Sequence, residues 1–304
     1  MTSDPPVAMT IAGSDSGAGA GVQADLKAMG ALGVLATTAL TTVTAQHTAA
    51  VTGVHHLPVD FVELQITTVL ADLPVAAVKT GMLATAPIVT MVGRLAASGA
   101  LPNLVVDPVM VSSSGHRLLE DGGLEAYRDH LLPRALVATP NLWEAALLSG
   151  MESGELAAVA GMTEAARRIH RLGPGWVLVK GGHLEGVEPS PGTAPAERVP
   201  DVLFDGDAVT VLTGTWVDTP NTHGTGCSLS AAIAARLASG ASVPRAVAEA
   251  KEYVHRALVG AAGWRLGAGH GPVDHLGWSS SPGNRGTAGG AGPAGPETTA
   301  AGSQ

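Results

Sequence analysis

Cysteine is almost missing from this chain: Cys227 stands alone in 304 residues. A disulfide framework and any metal site built on several cysteines are therefore excluded. Aromatic side chains are nearly as scarce, with five Trp, two Tyr and two Phe, so a core has to be made from Ala, Val, Leu and Ile. Basic residues are few, 17 Lys and Arg against 26 Asp and Glu, for a net charge of −9. Nucleic-acid binders need basic stripes interleaved with stacking rings, and an acidic, ring-poor chain offers neither. The four lysines are Lys27, Lys79, Lys180 and Lys251. None follows a glycine, which rules out the Walker phosphate loop. The His-Arg-Asp loop and Asp-Phe-Gly of protein kinases are absent, as are HExxH and Gly-x-Ser-x-Gly.

What is present is ample apolar material, 45% of the residues, enough at this length to bury a sizeable core. The opening Met1-Thr2-Ser3-Asp4-Pro5-Pro6 has no basic segment followed by an apolar one. No secretory signal is expected, and the chain reads as soluble and cytoplasmic. The uncharged stretch Ala28–Ala45 approaches the roughly 20 residues of a membrane helix. Gly30 and Gly33 interrupt it, and Thr37, Thr38, Thr41, Thr42 and Thr44 crowd its second half. That composition predicts a helix end, a turn at Gly33 and a buried strand.

Strand and helix patterns alternate along the rest. Strands are predicted at Val7–Ala12, Val34–Val43, Val75–Lys79, Leu104–Val106, Leu136–Ala138 and Trp176–Val179. Helices are predicted after Gly21 and at Val59–Leu70, Ala86–Ala97, Leu142–Leu148, Thr163–Leu172, Gly226–Ala238 and Val243–Ala261. A hairpin, Val202–Phe204 with Ala208–Leu212, turns at Asp205-Gly206-Asp207. Such alternation predicts an α/β fold whose mostly parallel sheet is covered on both faces, with ligands at the carboxyl ends of the strands. Glu185–Arg198, rich in Pro and Gly, reads as a loop. From Ser279 to Gln304 there is no Leu, Ile, Val or aromatic residue, too little to offset ordering entropy. Residues 1–278 are expected to form one domain and 279–304 a disordered tail.

Two glycine-rich turns compete for attention. Gly17-Ala18-Gly19-Ala20-Gly21 lies between a strand and a helix, as a dinucleotide-binding turn does. That fingerprint wants an acidic residue about 20 positions on, yet the next strand ends Val43-Thr44-Ala45-Gln46-His47. A nicotinamide-dependent dehydrogenase is thereby disfavoured, leaving a tight turn or a close approach of substrate to backbone. The second turn, Asp218-Thr219-Pro220-Asn221-Thr222-His223-Gly224-Thr225-Gly226-Cys227-Ser228, feeds an alanine-rich helix. It offers N–H groups and the positive end of a helix dipole to an anion. Cys227 falls in the first turn, where a thiol is expected below its ordinary value of about 8.5. Such a group suits proton removal from an alcohol beside amides that stabilise a phosphoryl group in transit. A small buried hydrophobe is the bland alternative for Cys227, and ordinary turn residues for Gly224 and Gly226.

Seven blocks carry a family resemblance: Thr10–Ser16, Gly19–Lys27, Val78–Leu83, Asp107–Met110, Thr139–Ala145, Val179–His183 and Asn221–Cys227. In this order, between about Val7 and about Trp278, the chain is similar to the hydroxymethylpyrimidine/phosphomethylpyrimidine kinases of thiamine biosynthesis. Ala18 departs from the pattern, standing where relatives often carry glycine; its methyl is expected to be tolerated. The resemblance implies a ribokinase-like three-layer α/β/α fold, ATP and Mg²⁺ as cofactors, a small pyrimidine as partner, and commonly a homodimer. It implies Asp25 and Gln46 on the polar edge of the pyrimidine, with Gly13 and Met82 walling the ring. Asp107 and Glu144 would stand on the Mg²⁺ side, with Lys180 and Asn141 toward the nucleotide. Thr225, Gly226 and Cys227 would form the anion hole, with Gly224 in the same catalytic turn, Cys227 as base and His223 structural or touching phosphate. The implied reaction is ATP-dependent phosphorylation of 4-amino-5-hydroxymethyl-2-methylpyrimidine and then of its monophosphate. A pyridoxal or pyridoxine kinase of the same superfamily is the alternative, and a binding regulator that has lost catalysis a second.

Overall fold

A computed structural model describes residues 4–111, 118–182 and 198–280. Its first half runs β1 (Val7–Asp15), α1 (Gly21–Ala31), β2 (Leu35–His47), β3 (Ala50–His56), α2 (Val59–Asp72), β4 (Val75–Thr80), α3 (Ala86–Ala97) and β5 (Val105–Val106). The second half runs α4 (Gly123–Ala126), β6 (Val137–Ala138), α5 (Leu142–Ser149), α6 (Val159–His170), β7 (Trp176–Lys180), β8 (Arg198–Phe204), β9 (Val209–Thr215), α7 (Thr225–Ala238) and α8 (Val243–Ala261). The strands form one sheet in the order β3-β2-β1-β4-β5-β6-β7-β8-β9. From β2 to β7 the neighbours are parallel; β3 at one edge and the β8–β9 hairpin at the other are antiparallel.

Period-two alternation builds two apolar layers from these strands. Ala8, Ala77, Val105, Val137 and Leu178 face α1, α7 and α8. Met9, Ile11, Val78, Val106 and Val177 face α2, α3, α5 and α6. The scarcity of rings is met by small residues: Ala231, Ala232, Ala234 and Ala235 of α7 are wholly buried. This is the three-layer α/β/α arrangement the sequence predicts. Ala28–Ala45 divides as expected into the end of α1, a turn at Gly33 with φ +79° and β2. No described helix is long and apolar enough to cross a membrane.

Three local expectations need correction. β2 runs on to His47 and pairs with β3, a strand the sequence did not reveal. Arg198, assigned to a loop, begins β8, while residues 183–197 of that segment lie outside the described residues. Ser279, assigned to the tail, is held by its N–H to Asp274 Oδ2 and its hydroxyl to the Gly260 carbonyl. The rest of the expected tail, residues 281–304, lies outside the described residues.

Candidate active site

The first glycine loop folds around the residue that ends β1. Asp15 Oδ1 accepts from the Gly17 N–H at 2.8 Å. Its Oδ2 accepts from the Gly19 and Ala20 N–H groups at 3.0 and 2.8 Å, and its carbonyl from the Ala18 N–H at 2.9 Å. The loop's amides are thus satisfied by the protein's own carboxylate rather than left open to an outside anion. His223 Nε2 donates to the same Oδ2 at 3.0 Å. Burial works against ionisation of Asp15, but the hydrogen bonds from His223 and Ala20 outweigh it and hold the carboxyl below its ordinary range. Ala18 has φ +61°, the left-handed region where a methyl costs about 1 kcal/mol. Lys27 Nζ donates to its carbonyl at 2.6 Å, and the loop closes with the methyl in place.

Near the end of β1, a Cβ at Gly13 would collide with the Met82 methyl, so these two residues pack as a pair. Met82 lines a cavity of about 500 Å³ with Val54, His56, Leu118, Leu119, Glu120 and Asp121. Gln46, at the end of β2, is tied to the first loop by Ser16, whose hydroxyl accepts from the Gln46 N–H and donates to its carbonyl. Its side-chain nitrogen lies 3.4 Å from His223 Nε2. Asp25 is elsewhere. Its side chain is 0% exposed, beneath the floor of the site, where Oδ2 accepts from Lys79 Nζ at 2.8 Å and from Thr10 at 2.6 Å. Direct contact with the polar edge of an acceptor does not follow from this placement.

The other side of the site is the N-terminus of α7. Gly224 has φ +82°, and a Cβ there would run into the Gly19 carbonyl, so the two glycine loops meet backbone to backbone. Thr225 donates its N–H to the Thr222 carbonyl at 3.3 Å. No side chain caps α7, and among the described residues no acceptor meets the Gly226 or Cys227 N–H. Lys180, from the end of β7, faces them: its Nζ would lie 3.3 Å from a Cβ at Gly226. Lys180 donates to Asp107 Oδ1 at 2.8 Å, and Thr139 donates to the same oxygen at 3.1 Å. Ser230 of α7 donates to Oδ2 at 3.2 Å. Asn141 and Glu144 cap α5 reciprocally, the Glu144 N–H to Asn141 Oδ1 at 2.8 Å and the Asn141 N–H to Glu144 Oε2 at 2.9 Å. The structure thus gathers Asp107, Glu144, Lys180 and Cys227 around one helix end, with Gly13, Met82 and Gln46 beside it and Asp25 below.

Charge states sharpen this picture. Burial disfavours ionised Asp107, but Lys180 and Lys79 together hold its carboxyl below the ordinary range. Burial pushes Glu144 up to about 7, with Lys180 opposing and Asp107 adding to the rise. A buried carboxylate so short of positive charge fits a hard cation that keeps waters and bridges phosphates. The pair would serve such an ion with few direct ligands, for no group of three His, Cys, Asp or Glu stands together among the described residues. Cys227 is half-buried, and desolvation pushes its thiol up to about 11. Lys79 and the Gly21 N–H pull it back, while Asp25 and Asp107 oppose them. That direction is opposite to the lowered thiol expected from the helix end, and desolvation is its largest cause.

A protein-family model described as phosphomethylpyrimidine kinase matches residues 15–274. The chain belongs to the phosphomethylpyrimidine kinase family. It is 47% identical over 275 residues to a hydroxymethylpyrimidine/phosphomethylpyrimidine kinase of Streptomyces coelicolor, spanning 90% of this chain and 96% of that one. A pyridoxal kinase from Staphylococcus aureus, solved with AMP-PCP and pyridoxal, superposes with a TM-score of 0.79 at 36% identity. That match covers 91% of this chain and 95% of the other. A phosphomethylpyrimidine kinase from Clostridium difficile gives 0.69 at 36% identity, over 83% and 99% of the two chains. The fold of this kinase family is ribokinase-like, as the motif order implied. Three residues the sequence reading left without a firm role, Asp15, Lys79 and His223, prove to knit the site together. The signal for Asp15 is local, an Asp two residues ahead of a glycine loop. Lys79 and His223 pair with residues 54 and 208 positions away, beyond the reach of spacing.

Proposed function

We propose that the chain transfers the terminal phosphoryl group of ATP to 4-amino-5-hydroxymethyl-2-methylpyrimidine and then to its monophosphate, giving the diphosphate. The observation that carries this reading is the uncapped start of α7, where the Gly226 and Cys227 amides face Lys180 and a thiol stands in the same turn. Those amides would hold the phosphoryl oxygens as charge develops. Lys180 would lie along the phosphates, oriented by Asp107. The ring would rest against Met82 and Gly13, with Gln46 on its polar edge. Asp107 and Glu144 would hold Mg²⁺, largely through water, and the ion would neutralise phosphate charge.

Cys227 is protonated at neutral pH when its thiol sits near 11. Proton transfer from the alcohol would then run through the small thiolate fraction, a strong base when present. A loose phosphoryl-transfer transition state asks little deprotonation in advance, so a scarce base suffices. The monophosphate already carries its charge near neutral pH, and its phosphorylation needs the amides and Lys180 more than the sulfur. The reading includes a homodimer, testable by sedimentation.

A pyridoxal kinase is the second reading, supported by the closer superposition on the S. aureus enzyme. ATP turnover coupled to a reporter, with hydroxymethylpyrimidine, its monophosphate and pyridoxal as separate acceptors, tests both. Efficient use of the first two is the expected result. Turnover with pyridoxal alone would replace the first reading by the second, and none with any acceptor would leave a binding protein.

A further inference from the structure

The second glycine turn is held from behind by a segment that the reaction as described does not use. Residues 271–275 follow α8 and are anchored to it. The Asp274 N–H donates to the Ala257 carbonyl at 3.0 Å, and the Tyr253 hydroxyl to the His275 carbonyl at 2.9 Å. The segment meets the turn on both sides of the Gly226 and Cys227 amides. Before them, the His223 N–H donates to the Gly271 carbonyl at 3.1 Å, beside a parallel bridge between His223 and Pro272. After them, His275 Nε2 lies 2.9 Å from the Ser228 hydroxyl.

The direction of that last bond follows from the protons at hand. Ser228 has one hydroxyl hydrogen, and its Oγ lies 2.7 Å from the Gly224 carbonyl, which can only accept. The hydrogen therefore goes to Gly224, and His275 meets the hydroxyl oxygen with a donating Nε2–H. Gly224 thus accepts twice, from the Ser228 N–H at 2.9 Å and from the Ser228 hydroxyl. A carbonyl bonded twice fixes the plane of the rigid peptide that opens α7, where Gly224 has φ +82°. His275 is 4% exposed and Ser228 0%, so bulk water does not compete for either group. An apolar side chain of similar size would fill this space with no buried N–H to satisfy. Packing alone therefore does not call for an imidazole.

We propose that His275 is a positioning residue for phosphoryl transfer, holding the Gly224 carbonyl through the Ser228 hydroxyl and so aiming the Gly226 and Cys227 amides at the phosphoryl oxygens. The inference rests on those amides as the phosphoryl site, and it adds the device that aims them. No side chain caps α7, and no acceptor meets either amide among the described residues. Their direction is set from the rear, by a residue that touches neither acceptor nor nucleotide. The amides bond most strongly as charge develops in transfer, so misaiming them lowers kcat more than it raises KM.

The test compares wild type with His275→Leu, His275→Gln, Ser228→Ala, and Ser228→Ala combined with His275→Leu. Steady-state rates are measured with ATP and 4-amino-5-hydroxymethyl-2-methylpyrimidine, and the Gly226 and Cys227 amide resonances are recorded without any ligand. His275→Leu should lower kcat about tenfold and leave KM for ATP within about twofold of wild type. His275→Gln restores an N–H donor of similar reach and should return kcat close to wild type. The double variant should lose no more than the larger of the two single losses, as members of one relay do. Unchanged kcat in His275→Leu, a loss confined to KM, or His275→Gln as slow as His275→Leu overturns the proposal. So does a double loss equal to the product of the single ones. Should His275→Leu fail to fold, Ser228→Ala decides alone: kcat lowered about tenfold at unchanged KM supports the proposal, and any other result overturns it. Wild type inactive with every acceptor would end the functional reading, yet the resonances would still test the positioning. Displacement in His275→Leu with return in His275→Gln supports it, and resonances unmoved in His275→Leu overturn it.

Discussion

The two glycine-rich turns share composition, neighbouring elements and even a point of backbone contact, yet they do opposite things. In the first, the Gly17, Gly19 and Ala20 amides point at Asp15, a carboxylate of the chain itself. In the second, the Gly226 and Cys227 amides have no acceptor among the described residues, and a lysine waits across from them. Glycine supplies the bend in both. Whether the bend becomes an anion site is decided by an internal carboxylate, present in one and missing in the other. Motif reading sees the glycines and misses the tenant.

The comparison is broken most severely at Gly224. Its φ of +82° and the Gly19 carbonyl leave no room for a side chain, so Gly224→Ala should displace the α7 amides and cut kcat by about 10³-fold. Steady-state rates above a tenth of wild type would mean that the helix end tolerates movement. Next comes Cys227→Ala, expected to lose about 10²-fold with the hydroxymethyl acceptor and less than about tenfold with the monophosphate. Equal losses would remove the sulfur from proton transfer. The pH profiles should divide in the same way. With the thiol near 11, the alcohol reaction gains thiolate as pH rises from 7 to 9, while the phosphate reaction stays nearly flat over that range.

In the first loop, Asp15→Ala should cost about 2 kcal/mol, since several partly buried donors lose their acceptor. The melting temperature should fall by roughly 4–8 °C. The folded carboxyl lies below its unfolded value, so this stabilisation is full above about pH 4 and is lost as pH falls through the folded value. Wild type and Asp15→Ala should therefore converge in acid, and a gap that persists at pH 2 would assign the loss to packing. The smallest effect is spectroscopic. Adding AMP-PCP should move the amide resonances of Gly226 and Cys227 and leave those of Gly17, Gly19 and Ala20 nearly still. Matching shifts in both loops would erase the distinction.

Much of the fold was legible because burial on both faces of a parallel strand leaves a plain apolar run, as in Val75–Val78 and Trp176–Val179. β3 was not, because Thr48-Ala49 turns the chain without Gly, Pro or Asn, and His55 and His56 break the apolar alternation. The candidate site divides in the same way. Gly224 to Cys227 announce themselves through spacing and the helix that follows. Asp25 misled, since a carboxylate on an early helix looks available until Lys79 is seen to meet it in the interior. The Cys227 thiol misled for a related reason: helix ends are visible in a sequence, whereas desolvation is a property of the assembled surroundings.

Where Gly19 crosses Gly224, a side chain at position 19 would strike the ring of His223, whose own backbone N–H is pinned to the Gly271 carbonyl. If the first turn holds the acceptor ring and the α7 start the phosphoryl group, as proposed above, reshaping one will be felt at the other. On that reading selectivity and turnover share a hinge pin, and variants that improve one will need a compensating change on the facing loop to keep the other.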